Sequence, residues 1–271
     1  MKVAAIQMVS AIAREANLAR AQALLAEAAA GGAELAVLPE YFCALGARDT
    51  DKLALRETDG DGAVQRFLAE AAREFGLWIV GGTLPMDAGD AAHVFNSSTA
   101  WSPQGECVAR YDKIHLFFFD NGRERYDEGR TIARGATPVV FDLPSRDGHV
   151  WRIGMSVCYD LRFPELYRAL SARGADLMLV PSAFTHTTGA AHWEVLLRAR
   201  AIENLAWVVA PAQGGTHENG RRTWGQSLVV DPWGTVVAQQ ATGEGVVLFE
   251  LDAATTAASR AQLPALSHIV L

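Results

Sequence analysis

Residues 32–42 read GAELAVLPEYF, and residues 174–184 read GADLMLVPSAF. Each copy leads with Gly-Ala and an acid into a short aliphatic run that stops at proline. That is the pattern of a strand buried on both faces in a parallel sheet. A second echo follows each copy. Trp78 opens WIVGG and Trp207 opens WVVAP; then come NSSTAWSPQGECVA at 96–109 and GQSLVVDPWGTVVA at 225–238, each with P-x-G in a turn between strand-like runs.

Helical patterns precede the same strands. Residues 17–30 are alanine-rich, with Leu18, Leu24 and Leu25 on one side, and residues 62–75 place Val64, Phe67, Leu68 and Ala71 at helical spacing. Residues 164–173 have proline in the first turn and Gly174 after the end, and residues 193–204 form a fourth pattern. The order strand, helix, strand, helix, strand, hairpin therefore occurs twice. Two half-sheets, each covered by helices on one face only, would leave two apolar faces bare. Packing those faces together gives an α/β fold, a four-layer α-β-β-α sandwich. We expect one domain over residues 1–271, built by pseudo-duplication. Two tandem domains would need a polar hinge near 142–150, where LPSRDGH is turn-like but short.

Composition narrows the function classes. A formal charge of −7, with no run of Lys and Arg, argues against nucleic acid or an anionic membrane as partner. No apolar stretch approaches the roughly 20 residues that span a bilayer, and the opening MKVAAIQMVSA turns polar too soon for a signal peptide. Three cysteines cannot all pair, which points to a reducing, cytoplasmic compartment. The histidines form no HxH or HxxxH pair, so no metal is expected.

Three residues share one kind of place in this scheme. Glu40 follows the strand LAVLP, Lys113 lies in RYDKIHLF after the first hairpin, and Cys158 follows the strand WRIGMSV, where the chain turns polar. Ligands of parallel sheets gather beyond the carboxyl ends of strands. A thiol is only a few per cent thiolate at neutral pH and needs a base or a positive neighbour to act as a nucleophile. Glu40 could take its proton; Lys113 could stabilise the thiolate and then an oxyanion, with the Tyr159 N–H as second donor. Each residue also has a plain structural reading: a packed thiol, a helix N-terminal carboxylate, a solvated lysine.

LPEYF, YDKIHLF and CYDLRFPELY, in that order, resemble the three motif blocks of the nitrilase superfamily of carbon–nitrogen hydrolases. The resemblance runs from AAIQM at the start to VVDPWG at 229–234. It implies the α-β-β-α sandwich, no cofactor, and a Glu–Lys–Cys triad falling on Glu40, Lys113 and Cys158. It also implies a second glutamate, matched by Glu128 in RYDEGRTI, that orients the lysine and the substrate. Homo-oligomerisation, as a dimer or larger, is implied too, with the helices at 164–173 and 193–204 as the candidate interface.

Within the superfamily, PSAFTHTTGAAHWEVLLRARAIEN resembles the amidases of deaminated glutathione and of ω-amides of keto acids, and VVAPAQGG with SLVVDPWGTVVA is similar to the former. Ala190 stands where that branch tends to have proline and Gln226 where it tends to have histidine; the tail ALSHIVL also departs from its pattern. The implied reaction is hydrolysis of a small carboxylate-bearing amide through a cysteine thioester, with release of ammonia. Arg162 is then the candidate carboxylate ligand, against an ion pair with Asp160 or Glu165. Thr187, Thr188, His192 and Trp193 are expected to line or shape the mouth, and Tyr41 and Phe42 to wall it, unless they are packing residues. A nitrilase proper, an N-carbamoyl amino acid hydrolase and a non-catalytic scaffold of the same fold are the alternatives.

Overall fold

In the first strand, KVAAIQ, alternate residues go to different cores. Val3 and Ala5 join one buried cluster while Ala4 and Ile6 join another. The same parity holds in the next strand, with Leu35 and Val37 on one side and Ala36 and Leu38 on the other. Both faces of this sheet are therefore covered, which explains why its strands read as unbroken aliphatic runs.

The computed structural model describes residues 1–270. The first half runs β1 (Lys2–Gln7), α1 (Arg14–Ala30), β2 (Leu35–Val37), the short α2 (Asp51–Ala54), α3 (Ala63–Phe75), β3 (Trp78–Val80), β4 (Leu84–Asp87), β5 (Val94–Trp101) and β6 (Cys107–Asp112). A small hairpin, β7 (Phe118–Asp120) and β8 (Arg125–Asp127), and the two-residue β9 (Ile132–Ala133) bridge the halves. The second half runs β10 (Val140–Pro144), β11 (Val150–Met155), α4 (Pro164–Ala172), β12 (Leu177–Leu179), α5 (His186–Asn204), β13 (Trp207–Ala210), β14 (Ser227–Val230) and β15 (Val236–Gln240). The chain then returns as β16 (Gly245–Glu250) and α6 (Ala253–Gln262).

The two sheets repeat one plan. The first has the order β16-β1-β2-β3-β5-β4, with β6 and β9 also on β5, and the second β10-β11-β12-β13-β14-β15. In each, the three central strands are parallel, with Val3 opposite Leu35 and Leu35 opposite Trp78, matched by Ile153 opposite Leu177 and Leu177 opposite Trp207. Each has an antiparallel strand beside its first parallel one. In the second half that strand, β10, precedes β11; in the first half it is β16, supplied from the far end of the chain, with Lys2 opposite Glu250. The halves are thereby tied together at both levels.

One buried cluster takes Val3, Val37, Val80 and Tyr111 from the first sheet together with Trp151, Ile153, Leu179 and Val209 from the second. The other packs α1 and α3, through Leu24, Leu25 and Leu68, on the outer face of the first sheet. The α-β-β-α layering follows. The helix expected at 193–204 begins two turns earlier, at His186, because Thr185 caps it with its Oγ1 accepting the Thr188 N–H. The opening THTTGAAH lacks apolar periodicity, so the pattern gave no sign of it. Gly189, in those first turns, lets Trp224 lie against the helix where a Cβ would collide.

Candidate active site

The echoed loops of the two halves touch. After β2 the chain passes Pro39 into Glu40; after β12 it passes Pro181 into Ser182 and Ala183, whose N–H donates to Glu40 Oε2 at 2.9 Å. Lys113 arrives from the end of β6. Its N–H donates to the Asn96 carbonyl at 3.1 Å, and its own carbonyl accepts the Gly135 N–H at 2.9 Å.

Cys158 comes from the end of β11. The Ser156 N–H continues the sheet onto Leu179, and the Cys158 N–H donates to the Pro181 carbonyl at 3.0 Å. Cys158 has φ of +48°, a left-handed conformation that a residue with a side chain keeps only where its surroundings impose it. Asp160 does much of the imposing. Its buried carboxylate accepts the Val157 N–H at 2.9 Å, the Tyr111 hydroxyl at 2.7 Å and the His115 N–H at 3.0 Å. One side chain thus binds the turn that carries Cys158 to the segment that carries Lys113.

Lys113 Nζ donates to Glu40 Oε1 at 2.8 Å and lies 2.9 Å from Glu128 Oε2. Glu40 Oε1 also accepts from Asn96 Nδ2 at 2.9 Å. Glu128 accepts the Phe117 N–H at 2.7 Å and the Tyr41 hydroxyl at 2.9 Å. Burial alone would pull the lysine's pKa down, but the carboxylates of Glu128 and Glu40 outweigh it and hold the ammonium above its ordinary value. Burial likewise pushes Glu128 up; Lys113 and the Phe117 N–H outweigh that, leaving its carboxyl below the ordinary value.

Cys158 is buried, not the exposed thiol its polar flank suggests, and belongs to the same apolar cluster as Leu161, Leu166 and Phe184. It lines a narrow cleft with Glu40, Glu128, Tyr159, Arg162 and Thr188. Burial, and then the Glu40 charge, push its thiol well above the usual range, against the pull of Lys113. The lysine is already committed to two carboxylates, which leaves Glu40 as the group placed to take the thiol proton.

The other expected residues divide. Tyr159 lines the cleft, and its N–H meets no acceptor among the described residues. Arg162 also lines it and pairs with neither Asp160 nor Glu165; its Nη1 lies 3.1 Å from His192 Nδ1, and its guanidinium sits over the rings of Phe184 and Tyr159. Tyr41 stands behind the cleft, holding Glu128. Thr188 is on the cleft, but Thr187, one residue and about 100° away on the same helix, is exposed and bonded to Glu124. His192 is exposed and reaches the cleft only through Arg162. Trp193 is fully buried, donating to the Gln226 carbonyl at 2.8 Å, and Phe42 lies in the helix-side core.

Sequence reasoning missed Asn96, the Ala183 N–H and Arg221. A polar residue inside the buried run of β5 was a usable sign of Asn96. Arg221, in the polar loop HENGRR, gave none. Among the described residues, no group of three or more His, Cys, Asp or Glu side chains is placed to hold a metal ion, and no helix is long and apolar enough to cross a membrane.

Residues 2–261 match the family model described as carbon-nitrogen hydrolase. A deaminated glutathione amidase of Synechocystis sp. is 40% identical over 98% of this chain and 97% of its own length. An omega-amidase of Homo sapiens is 35% identical over 97% and 92% respectively. Among solved structures, the NitFhit protein of C. elegans superposes with a TM-score of 0.88 at 37% identity, covering 99% of this chain and 64% of that one. An amidase of Nesterenkonia sp. AN1, captured with acrylamide added at its active site cysteine, superposes with a TM-score of 0.79 at 28% identity, over 97% and 98%.

Proposed function

This chain belongs to the carbon–nitrogen hydrolase family and is an amidase, and we propose that it works through Glu40, Lys113 and Cys158, with Glu128 holding the lysine. The observation that carries the reading is that Cys158 and Glu40 line one cleft with Glu128, while the Lys113 ammonium is fixed between those two glutamates.

The reaction follows from those positions. Cys158 Sγ attacks the amide carbonyl as its proton passes to Glu40, so charge moves onto the sulfur only as the S–C bond forms. The developing oxyanion is met by the Lys113 ammonium, which has three N–H donors and two carboxylate partners, and by the free N–H of Tyr159. Glu40 returns the proton to the leaving nitrogen, the C–N bond breaks, and a thioester remains. Glu40 then takes a proton from water, the hydroxide adds to the thioester carbonyl, and the C–S bond breaks. The acid departs and Cys158 regains its proton.

Arg162 is the proposed acyl-side carboxylate ligand, since no carboxylate of the protein occupies it. The substrate is a small amide of a carboxylic acid, closest in kind to deaminated glutathione; an ω-amide of a keto acid is the second reading. A panel of such amides, matched nitriles and N-carbamoyl amino acids, with the released nitrogen product and carbon dioxide measured, tests this. Turnover confined to nitriles or carbamoyl compounds would refute the amide assignment, and turnover of none would favour a scaffold.

Two further readings complete the proposal. The free cysteines Cys43, Cys107 and Cys158 fit a cytoplasmic protein. Val195 and Ile202 on α5, and Trp233 in the turn between β14 and β15, are exposed apolar residues that fit a homo-oligomer contact. Light scattering on Val195→Glu reads the latter; an unchanged mass would remove it.

A further inference from the structure

We propose that Asn96 is a positioning residue for the general base: with Lys113 it occupies Glu40 Oε1, and so leaves Oε2 as the oxygen that carries the proton between Cys158 and the leaving nitrogen. The inference rests on the role proposed for Glu40 above and adds a residue to it.

Asn96 lies in β5 opposite Pro85 of β4, and its neighbour Ser97 lies opposite Asp112, the last residue of β6. That register sets Asn96 beside Lys113, whose N–H donates to the Asn96 carbonyl at 3.1 Å. Asn96 is 3% exposed, and its Nδ2 reaches Glu40 Oε1 at 2.9 Å. One residue therefore holds the lysine by its main chain and the glutamate by its side chain. An ionised carboxylate only accepts, so the amide turns its NH2 end, not its oxygen, toward Glu40.

Counting lone pairs gives the consequence. Each carboxylate oxygen has two. On Oε1 both are engaged, one by Lys113 Nζ at 2.8 Å and one by Asn96 Nδ2. On Oε2 the Ala183 N–H takes one at 2.9 Å, leaving the other for the thiol of Cys158 on the wall of the same cleft. A proton on Oε1 would displace a donor; a proton on Oε2 displaces none. Once Oε2 is protonated, Oε1 is the carbonyl oxygen of a neutral acid and still accepts from both donors. The Asn96 bond thus lasts through each step in which Glu40 takes and returns a proton. Asn96 is not on the cleft wall, so it acts through Glu40 and touches no substrate.

An amide suits this place because it neither titrates nor adds charge. The ionisable groups around Glu40 are Lys113 on Oε1, Glu128 on the other side of that lysine, and Cys158, Arg162 and Arg221 on the cleft wall. Taking away a neutral donor weakens the carboxylate relative to the acid. Glu40 would then keep its proton to a higher pH.

The test is alkylation of Cys158 by iodoacetamide, read by mass spectrometry of its peptide across the acid and neutral range, and it needs no natural substrate. In the native protein the rate should climb an acid limb as Glu40 ionises, reach a plateau, and climb again only when the thiol itself ionises. Asn96→Leu, close to the native shape, should move the acid limb up by roughly one pH unit or more, the scale of one hydrogen bond to a charged acceptor. Asn96→Asp, which sets a second acceptor against Oε1, should move it further. The position of a limb does not depend on how much protein is folded, and the aspartate variant reads the same contact if the leucine variant does not fold. A limb that neither variant moves, or one that aspartate moves no further than leucine, would overturn the role of Asn96 and spare Glu40 as base. A native rate without a plateau, rising only with ionisation of the thiol, would sink both.

Discussion

Lys113 Nζ lies 2.8 Å from Glu40 Oε1, and the two residues are 0% and 1% exposed. A buried ion pair of this kind is weak evidence for stability, because desolvating both charges offsets much of their attraction. Its second glutamate changes the balance. With Glu128 also within 2.9 Å, the buried lysine is held between one buried and one largely covered carboxylate.

Removing the lysine should therefore harm both fold and reaction. Lys113→Met leaves Glu40 and Glu128 facing each other without compensation, at about 3–5 kcal/mol, and removes an oxyanion donor worth at least ~100-fold in kcat. Thermal unfolding and steady-state rates measure the two losses. A variant as stable and active as the native protein would refute the role given to Lys113.

Cys158→Ala should separate them. The sulfur is buried but small, and alanine meets the same left-handed backbone, so stability should move by no more than about 1 kcal/mol while turnover disappears. Residual amidase activity in this variant would assign the nucleophile elsewhere.

Acid should act through Glu128. Its carboxyl titrates lower in the folded chain than the roughly 4.3 of an unfolded glutamate. The unfolded state then binds the extra proton, and the stability this carboxylate contributes is whole above about pH 5 and lost as pH falls through its folded value. Glu128→Gln should unfold at lower temperature at pH 7 and show a shallower decline between pH 5 and 3. Parallel curves for the two proteins would contradict the linkage. Lys113 is shifted the other way, so its contribution is complete below the ordinary lysine pKa and persists through the neutral range.

Arg162→Ala should raise KM for carboxylate-bearing amides by roughly 10- to 100-fold, the scale of a lost charge-assisted pair, and alter KM for neutral amides of similar size far less. Equal effects on both would mean that the guanidinium serves to stack on Phe184 and Tyr159 rather than to bind substrate.

Sequence alone determined the repeat and the layers, because burial on both faces of a sheet forces continuous aliphatic runs that the chain displays twice. It determined the three chemical blocks as well, since each sits just past a strand whose end proline or polar flank marks. What it left open was whatever depends on residues far apart in the chain. LPEYF and YDKIHLF lie in the first half and CYDLRFPE in the second, and only the packing of sheet on sheet brings the Ala183 N–H to Glu40. The burial of Cys158 could not be read from its polar neighbours, because the cluster it joins is assembled from both sheets and from segments far away in the chain. Thr187 and Thr188 are adjacent letters, yet the helix that begins at His186 sends one to solvent and the other to the cleft. Arg221 carries no local mark of its place; only the tertiary fold brings this charged loop residue to the wall of the Cys158 cleft.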